Sequence, residues 1–212
     1  MYCLCSAASL RSPGMKLIQH ASDLSAYLAD DEVIDHRHPL VTETAERLGA
    51  GEGDAHVYAS AAFAFVRDSV PHSMDVGDPR VTWRASDVLA ARTGICYAKA
   101  HALTALLRAG GIHAGLCYQR LTGAGGGPVV HGLVAVRLPG RERWARQDPR
   151  GNVGGIDAQF SMEEERLAWV VRPEFNEMDY PVVYEAPHPA PLHALRSSRD
   201  CAELGRNLPA SL

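Results

Sequence analysis

The residues of this chain whose types and order could do chemistry are Cys96, His131 and Asp148. Cys96 follows the turn Thr93-Gly94-Ile95 and opens a run with helical periodicity. Backbone N–H groups at a helix start lack intrahelical partners, and the helix dipole is positive there. Both effects favour a thiolate, and the same N–H groups could stabilise an oxyanion. His131 sits in the strand-like stretch VVHGLVAV, on a face with Val129 and Leu133. Asp148 ends ERWARQD on what reads as the neighbouring strand, on a face with Trp144 and Arg146. A hairpin between the two strands could bring the carboxylate to the imidazole, fixing its tautomer and supporting the charged ring. Each residue alone has a plainer reading: a packed cysteine, a satisfied structural histidine, a turn aspartate before Pro149. The ordered set, on helix start, strand and next strand, is what points to nucleophilic catalysis.

The elements that must position these residues are legible in outline. Short helices are expected over 22–30 and 41–48, and a longer one from Asp54 to Ser69, with Val57, Ala61, Ala64 and Phe65 on its inner face and Pro71 ending it. Ser86 reads as the cap of a helix over 87–92. The central helix is expected over 95–109, stopped by Gly110-Gly111. Strands follow over 113–121, 129–138 and 142–148, the first two joined by the glycine-rich 123–127. Ser161 and Glu164 form a capping-box pattern for a helix near 162–169. A last helix is expected over 192–204.

Composition sets the limits. The chain has 212 residues, 46% hydrophobic and 22% charged, with a net charge of −4. That suits one sizeable globular domain and gives no general attraction to nucleic acid. Charge is uneven: residues 91–150 hold nine Lys or Arg against Glu142 and Asp148, and the rest holds twelve bases against twenty-three acids. The plainer consequence is that acidic flanks neutralise a basic centre; the sharper is that the centre attracts an anionic substrate or stabilises a thiolate. No run of about 18 apolar residues is present, so no membrane span is expected. Residues 1–14 read as a disordered or non-native extension, too weakly apolar for a secretory signal, with Met15 as an alternative start. Five cysteines without a framework spacing favour free thiols and a cytoplasmic setting.

ASDVLAARTGICYAKAHALTALLRAGGIHAGLCYQRL over 85–121, followed by VVHGLVAV and WARQDPRGN, resembles the transglutaminase-like core. The pattern's glycine two before the cysteine matches Gly94. Its Leu-rich helix ending in arginine and a Gly-Ile turn match Leu106, Leu107, Arg108, Gly111 and Ile112. Its strand histidine matches His131, and its aspartate after an aromatic-bearing strand matches Asp148. The resemblance covers about 65–152 of a single domain over 15–212, and VRDSVPHSMD also looks like bacterial members. It implies an α+β, papain-like fold, with N-terminal helices packed on an antiparallel sheet. It also implies a Cys–His–Asp triad that transfers acyl groups from amides through a thioester, hydrolysis being the expected outcome. No cofactor or metal is implied, and the expected partner is a peptide or amide substrate, with neither nucleic acid nor membrane. Two departures stand out: GIHAG replaces the usual GIPAR, which could alter the substrate channel, and no motif assigns the second oxyanion donor. His72 and Trp83 are the candidates for that donor.

Three other readings compete. Cys96, His101, His113 and Cys117 are metal-ligand types, but five residues along a helix turn Cys96 and His101 about 140° apart. Arylamine acetyltransferases share the Cys–His–Asp order, but they resemble an RGGxC pattern where this chain reads RTGIC. A catalytically silent binding domain of the same fold is the third. If the triad reading holds, Cys96 should be the most reactive of the five thiols, and Cys117 a buried apolar filler.

Overall fold

A computed structural model describes residues 15–212, so the expectations for residues 1–14 lie outside the described residues. Helix α1 spans Pro39–Arg47, with Pro39 in the first turn and the His38 side chain accepting from the Leu40 N–H. Helix α2 spans Ala55–Ser69, its start fixed by Asp54, whose side chain accepts from the His56 N–H. Its buried face is Tyr58, Ala59, Ala62, Phe63 and Val66, not the expected one; Val57 is 65% exposed. An alanine-rich helix carries a weak stripe, and Tyr58 decides the rotation by donating its hydroxyl to the Leu106 carbonyl.

Short helices α3, Ser73–Val76, and α4, Ala85–Ala91, lead to α5, Cys96–Ala109. Ser86 does not cap α4. It lies inside the helix and donates to Asp35 Oδ2 at 2.5 Å, while Arg84 holds the cap position. Almost every side chain of α5 is buried. Its end is as expected: Gly111 takes φ +73, and a Cβ on Gly110 would lie 2.2 Å from the Tyr58 ring. Glycine is therefore needed there for helix contact as well as for the turn.

The sheet is antiparallel in the order β4-β3-β2-β5, formed by β2 (His113–Thr122), β3 (Pro128–Arg137), β4 (Ala145–Gln147) and β5 (Met178–Asp179). The β2–β3 register pairs Gln119 with His131 and runs the full length of both strands. A separate parallel pair joins β1 (Ile18–Gln19) to β6 (Val182–Val183). The main core lies between α5 with its neighbouring helices and one face of the sheet; Tyr27, Cys117, Leu133, Trp144 and Val183 form a smaller cluster apart from it.

Two expected helices are corrected. Residues 162–169 are not helical, although the Glu164 N–H does donate to Ser161 Oγ at 3.1 Å. Tertiary bonds hold the segment open: the Gln147 amide engages both the Ser161 N–H and carbonyl, and Glu165 grips Arg146 with both oxygens. The C-terminal helix is two, α6 (Pro189–Ser197) and α7 (Cys201–Arg206), with Asp200 capping the second. Among the described residues no helix is long and apolar enough to cross a membrane.

Candidate active site

Cys96 is the first residue of α5, after Ile95, which supplies no side-chain cap. The N–H groups of that turn therefore have no capping side chain of their own. The turn before it is packed tightly. A Cβ on Gly94 would lie 3.0 Å from Ala98 Cβ and 3.2 Å from Thr82 Oγ1, so any side chain there would require these neighbours to give way. Thr82 donates to the Thr93 carbonyl at 2.8 Å, and the Ser73 N–H donates to the Gly94 carbonyl at 3.2 Å. That last bond lays His72 alongside the turn that carries the thiol.

His131 and Asp148 come from β3 and from the residue after β4, brought together by the β3–β4 ladder. His131 Nε2 and Asp148 Oδ2 are 2.9 Å apart. Oδ2 also accepts the Ala168 N–H at 3.1 Å, and Oδ1 accepts the Arg150 N–H at 3.0 Å. The carboxylate is 0% exposed and the imidazole 4%. With Nε2 engaged by Asp148, Nδ1 is the nitrogen left for the thiol.

Electrostatics follow from this placement. Burial pushes the Cys96 thiol up, but the charge and hydrogen bond of His131, then those of His72, outweigh it and bring it down to about 6. Burial works against a charged His131, yet Asp148 and the thiolate raise it above its ordinary value. Burial likewise opposes the Asp148 carboxylate, and His131 with two backbone N–H groups hold it below the usual range. The three groups form one coupled system in which thiolate and imidazolium stabilise each other.

Of the two candidate oxyanion donors, the structure brings only His72 to the sulfur. Its Nδ1 is buried without a hydrogen-bond partner, 3.7 Å from Asp75 Oδ1. Trp83 lies elsewhere, its ring between the Arg84 and Arg196 guanidinium groups and its carbonyl bonded to His101 Nδ1 at 2.8 Å. His101 is thereby a satisfied core histidine, lowered to about 4 by burial. Cys117 is fully buried in the smaller cluster. Among the described residues no three His, Cys, Asp or Glu side chains are grouped to hold a metal. Nor does the GIHAG departure touch the cleft: a Cβ on Gly115 would strike Val183, Tyr184 and Tyr27, which makes it a packing glycine.

Two further residues at the site carry no sequence motif. Trp169 meets the His131 ring edge-on at 4.9 Å between centroids and 88° between planes. Arg150 stacks over Trp169 at 5.2 Å and grips Asp75 with both terminal nitrogens, at 2.6 and 2.7 Å. The only signals were an arginine in the DPRG turn and a tryptophan inside a stretch read as helix. The acidic flanks neutralise the basic centre only in part, at Arg141, Arg146 and Arg150. Arg146 pairs with Glu165 and Asp179, Arg150 with Asp75, and Arg108 and Lys99 bond backbone carbonyls. The thiol is lowered by the two imidazoles, not by an arginine field.

These groups open on a cleft of about 940 Å³, lined among others by His72, Cys96, His131, Trp169 and the glycine-rich loop. A thiolate at a helix start, with one imidazole held by a carboxylate and a second imidazole beside it, can attack a carbonyl carbon and return a proton to what leaves.

The model of the transglutaminase-like superfamily matches residues 17–149 of this chain. The chain belongs to that superfamily. The match starts well upstream of residue 65, so the N-terminal segment is part of the transglutaminase-like unit. Among solved structures, a protein of Cytophaga hutchinsonii described as a putative cysteine protease is 20% identical, with a TM-score of 0.49, over 61% of this chain and 43% of that one. A protein of Parabacteroides distasonis described as a putative protease is 17% identical, with a TM-score of 0.40, over 68% of this chain and 30% of that one. This transglutaminase-like chain thus spans less than half the length of either. No curated protein matched.

Proposed function

We propose that this chain is a cysteine enzyme that cleaves amide bonds by acyl transfer through a thioester on Cys96, with water as the final acceptor. The observation that carries the reading is the buried His131–Asp148 pair, 2.9 Å apart, in a cleft that His131 shares with Cys96 at the start of α5. The Cys96 thiolate attacks the amide carbonyl, and the new oxyanion is met by the N–H groups at the start of α5 and by His72. His131, as imidazolium, gives its proton to the departing amine as the C–N bond breaks. Neutral His131 then takes a proton from water, hydroxide adds to the thioester, and the thiolate leaves as the carboxylic acid forms. Asp148 keeps the imidazole oriented and supports its charge through both steps. Trp169 covers the edge of His131, and the wide cleft lets water reach the thioester.

Incubation with p-nitrophenyl acetate followed by peptide mass mapping tests this. An acetyl adduct on Cys96 that forms below neutral pH, and is lost in His131→Ala, is the expected result. Acetylation of Cys201 in preference to Cys96 would overturn it and leave a silent binding domain as the better reading. Adduct formation from acetyl-coenzyme A and its transfer to an arylamine would instead favour the acetyltransferase.

A further inference from the structure

The loop 123–127 contains four glycines, and they divide into two kinds. A Cβ on Gly123 would lie 2.9 Å from Val129, and Gly126 has φ +81, so packing and backbone explain these two. Gly125 and Gly127 have neither reason: their φ angles are ordinary, and a Cβ on either would meet nothing within 4 Å. Glycine without such a reason only adds disorder to the unfolded chain. Both positions line the cleft that holds Cys96. What a side chain there would meet is therefore whatever the cleft receives.

We propose that Gly125 and Gly127 form the wall of a subsite for an extended peptide main chain bearing an apolar side chain, an inference that rests on the amide-cleaving reading of Cys96. Four observations carry the substrate class. Among the described residues, the N–H and carbonyl of Gly125 have no hydrogen-bond partner, and a peptide backbone pairs with such groups when no side chain keeps it away. Beside the loop the cleft is apolar: Leu121, Val129, Trp169 and Val170 line it, and Val170 is 79% exposed. Of the charged lining groups, Arg150 is neutralised by Asp75 and Arg172 by Glu177, while Arg206 has no ion-pair partner among the described residues. At about 940 Å³ the cleft stands at the upper end for small-ligand sites and holds more than one residue.

The test compares the rate at which Cys96 is alkylated by a tri-leucyl peptidyl vinyl sulfone, by its tri-aspartyl counterpart and by iodoacetamide. The thiolate adds across the vinyl group and the adjacent carbon takes a proton, so no further reactant is needed. In the intact protein the tri-leucyl label should outpace the tri-aspartyl one by about tenfold or more. The ratio of tri-leucyl to iodoacetamide rates should fall stepwise from glycine to Gly125→Ala to Gly125→Leu, and likewise at Gly127, reaching about tenfold in the leucine variants. Thermal melts run alongside; where a leucine variant melts early, the alanine variant, which fits the observed backbone, decides. Unchanged ratios at both positions, or a tri-aspartyl label as fast as the tri-leucyl, would overturn the subsite. If instead Cys96 reacts with iodoacetamide no faster than an ordinary thiol, the enzyme reading fails, while the ratio still reports the subsite.

Discussion

Cys96 and Cys117 are both buried thiols one element apart, and their environments drive them in opposite directions. Burial raises Cys117, in strand β2, to about 12; Arg146 opposes this, but the carboxylates around it do not. Cys96 suffers the same burial and ends at about 6, because two imidazoles reach it. Burial therefore makes an inert thiol by default, and the site is built by what is placed beside the sulfur. Position contributes as well: Cys96 opens a helix and lines the cleft, while Cys117 sits mid-strand in the smaller cluster.

The largest effect should come from making Cys96 resemble Cys117. His131→Ala removes the proton donor and the principal charge on the thiolate, so turnover should fall by about 10³–10⁴-fold. Alkylation separates that loss from unfolding. At pH 6 an ordinary thiol is about 0.3% ionised, whereas Cys96 is about half ionised given its value near 6. A weaker nucleophilicity at low pKa takes back about tenfold of that advantage, leaving Cys96 about tenfold faster than a free thiol. In His131→Ala the advantage should vanish at pH 6 with the melting profile retained. Cys3 and Cys5 lie outside the described residues, so each site is followed by its own peptide.

Asp148→Asn comes next, with a turnover loss of about 10²–10³-fold through the wrong imidazole tautomer. It should also cost about 3 kcal/mol of stability at pH 6, since it leaves a buried imidazole without its charge partner. The sign of the pH dependence follows from the shifts. Asp148 is lowered, so its contribution is present above the ordinary carboxylate value and is lost as pH falls through the folded one. His131 is raised, so its contribution is present below its ordinary value and is lost as pH rises through the folded one. Denaturant melts of both proteins should therefore differ most between about pH 4 and 7, and converge on either side. A difference that grows toward alkaline pH would contradict the pairing.

His72→Gln should cost about 10²-fold in turnover if His72 meets the oxyanion. Because His72 also lowers the thiol, part of any loss at pH 6 reflects fewer thiolates. The remainder should persist at about pH 8.5, where the thiolate is saturated in both proteins. A loss that disappears there would reduce His72 to a neighbour that tunes the sulfur.

Much of this was legible because the local and tertiary signals agreed. The helix from Cys96, its glycine stop and the β2–β3 pairing each carry a short-range pattern: a helical periodicity, a turn and two apolar runs joined by a glycine-rich loop. What was not legible depended on partners far along the chain. Ser161 and Glu164 do make a capping contact, yet Gln147 and Arg146 pull the following residues straight. The inner face of α2 turned on one tyrosine hydroxyl reaching α5. Trp83, named from the sequence, lies elsewhere, and only the path of the 150–170 segment sets Trp169 against His131.

The smallest effect is the one that closes the comparison. Cys117→Ala should leave turnover within about twofold and cost about 1 kcal/mol of stability, the loss of a small buried group from a packed cluster. Native protein treated with iodoacetamide at pH 7 should be modified at Cys96 and not at Cys117, with Cys117 reacting only after denaturant. The reason is twofold: its sulfur is 0% exposed, and its thiol is held protonated by burial.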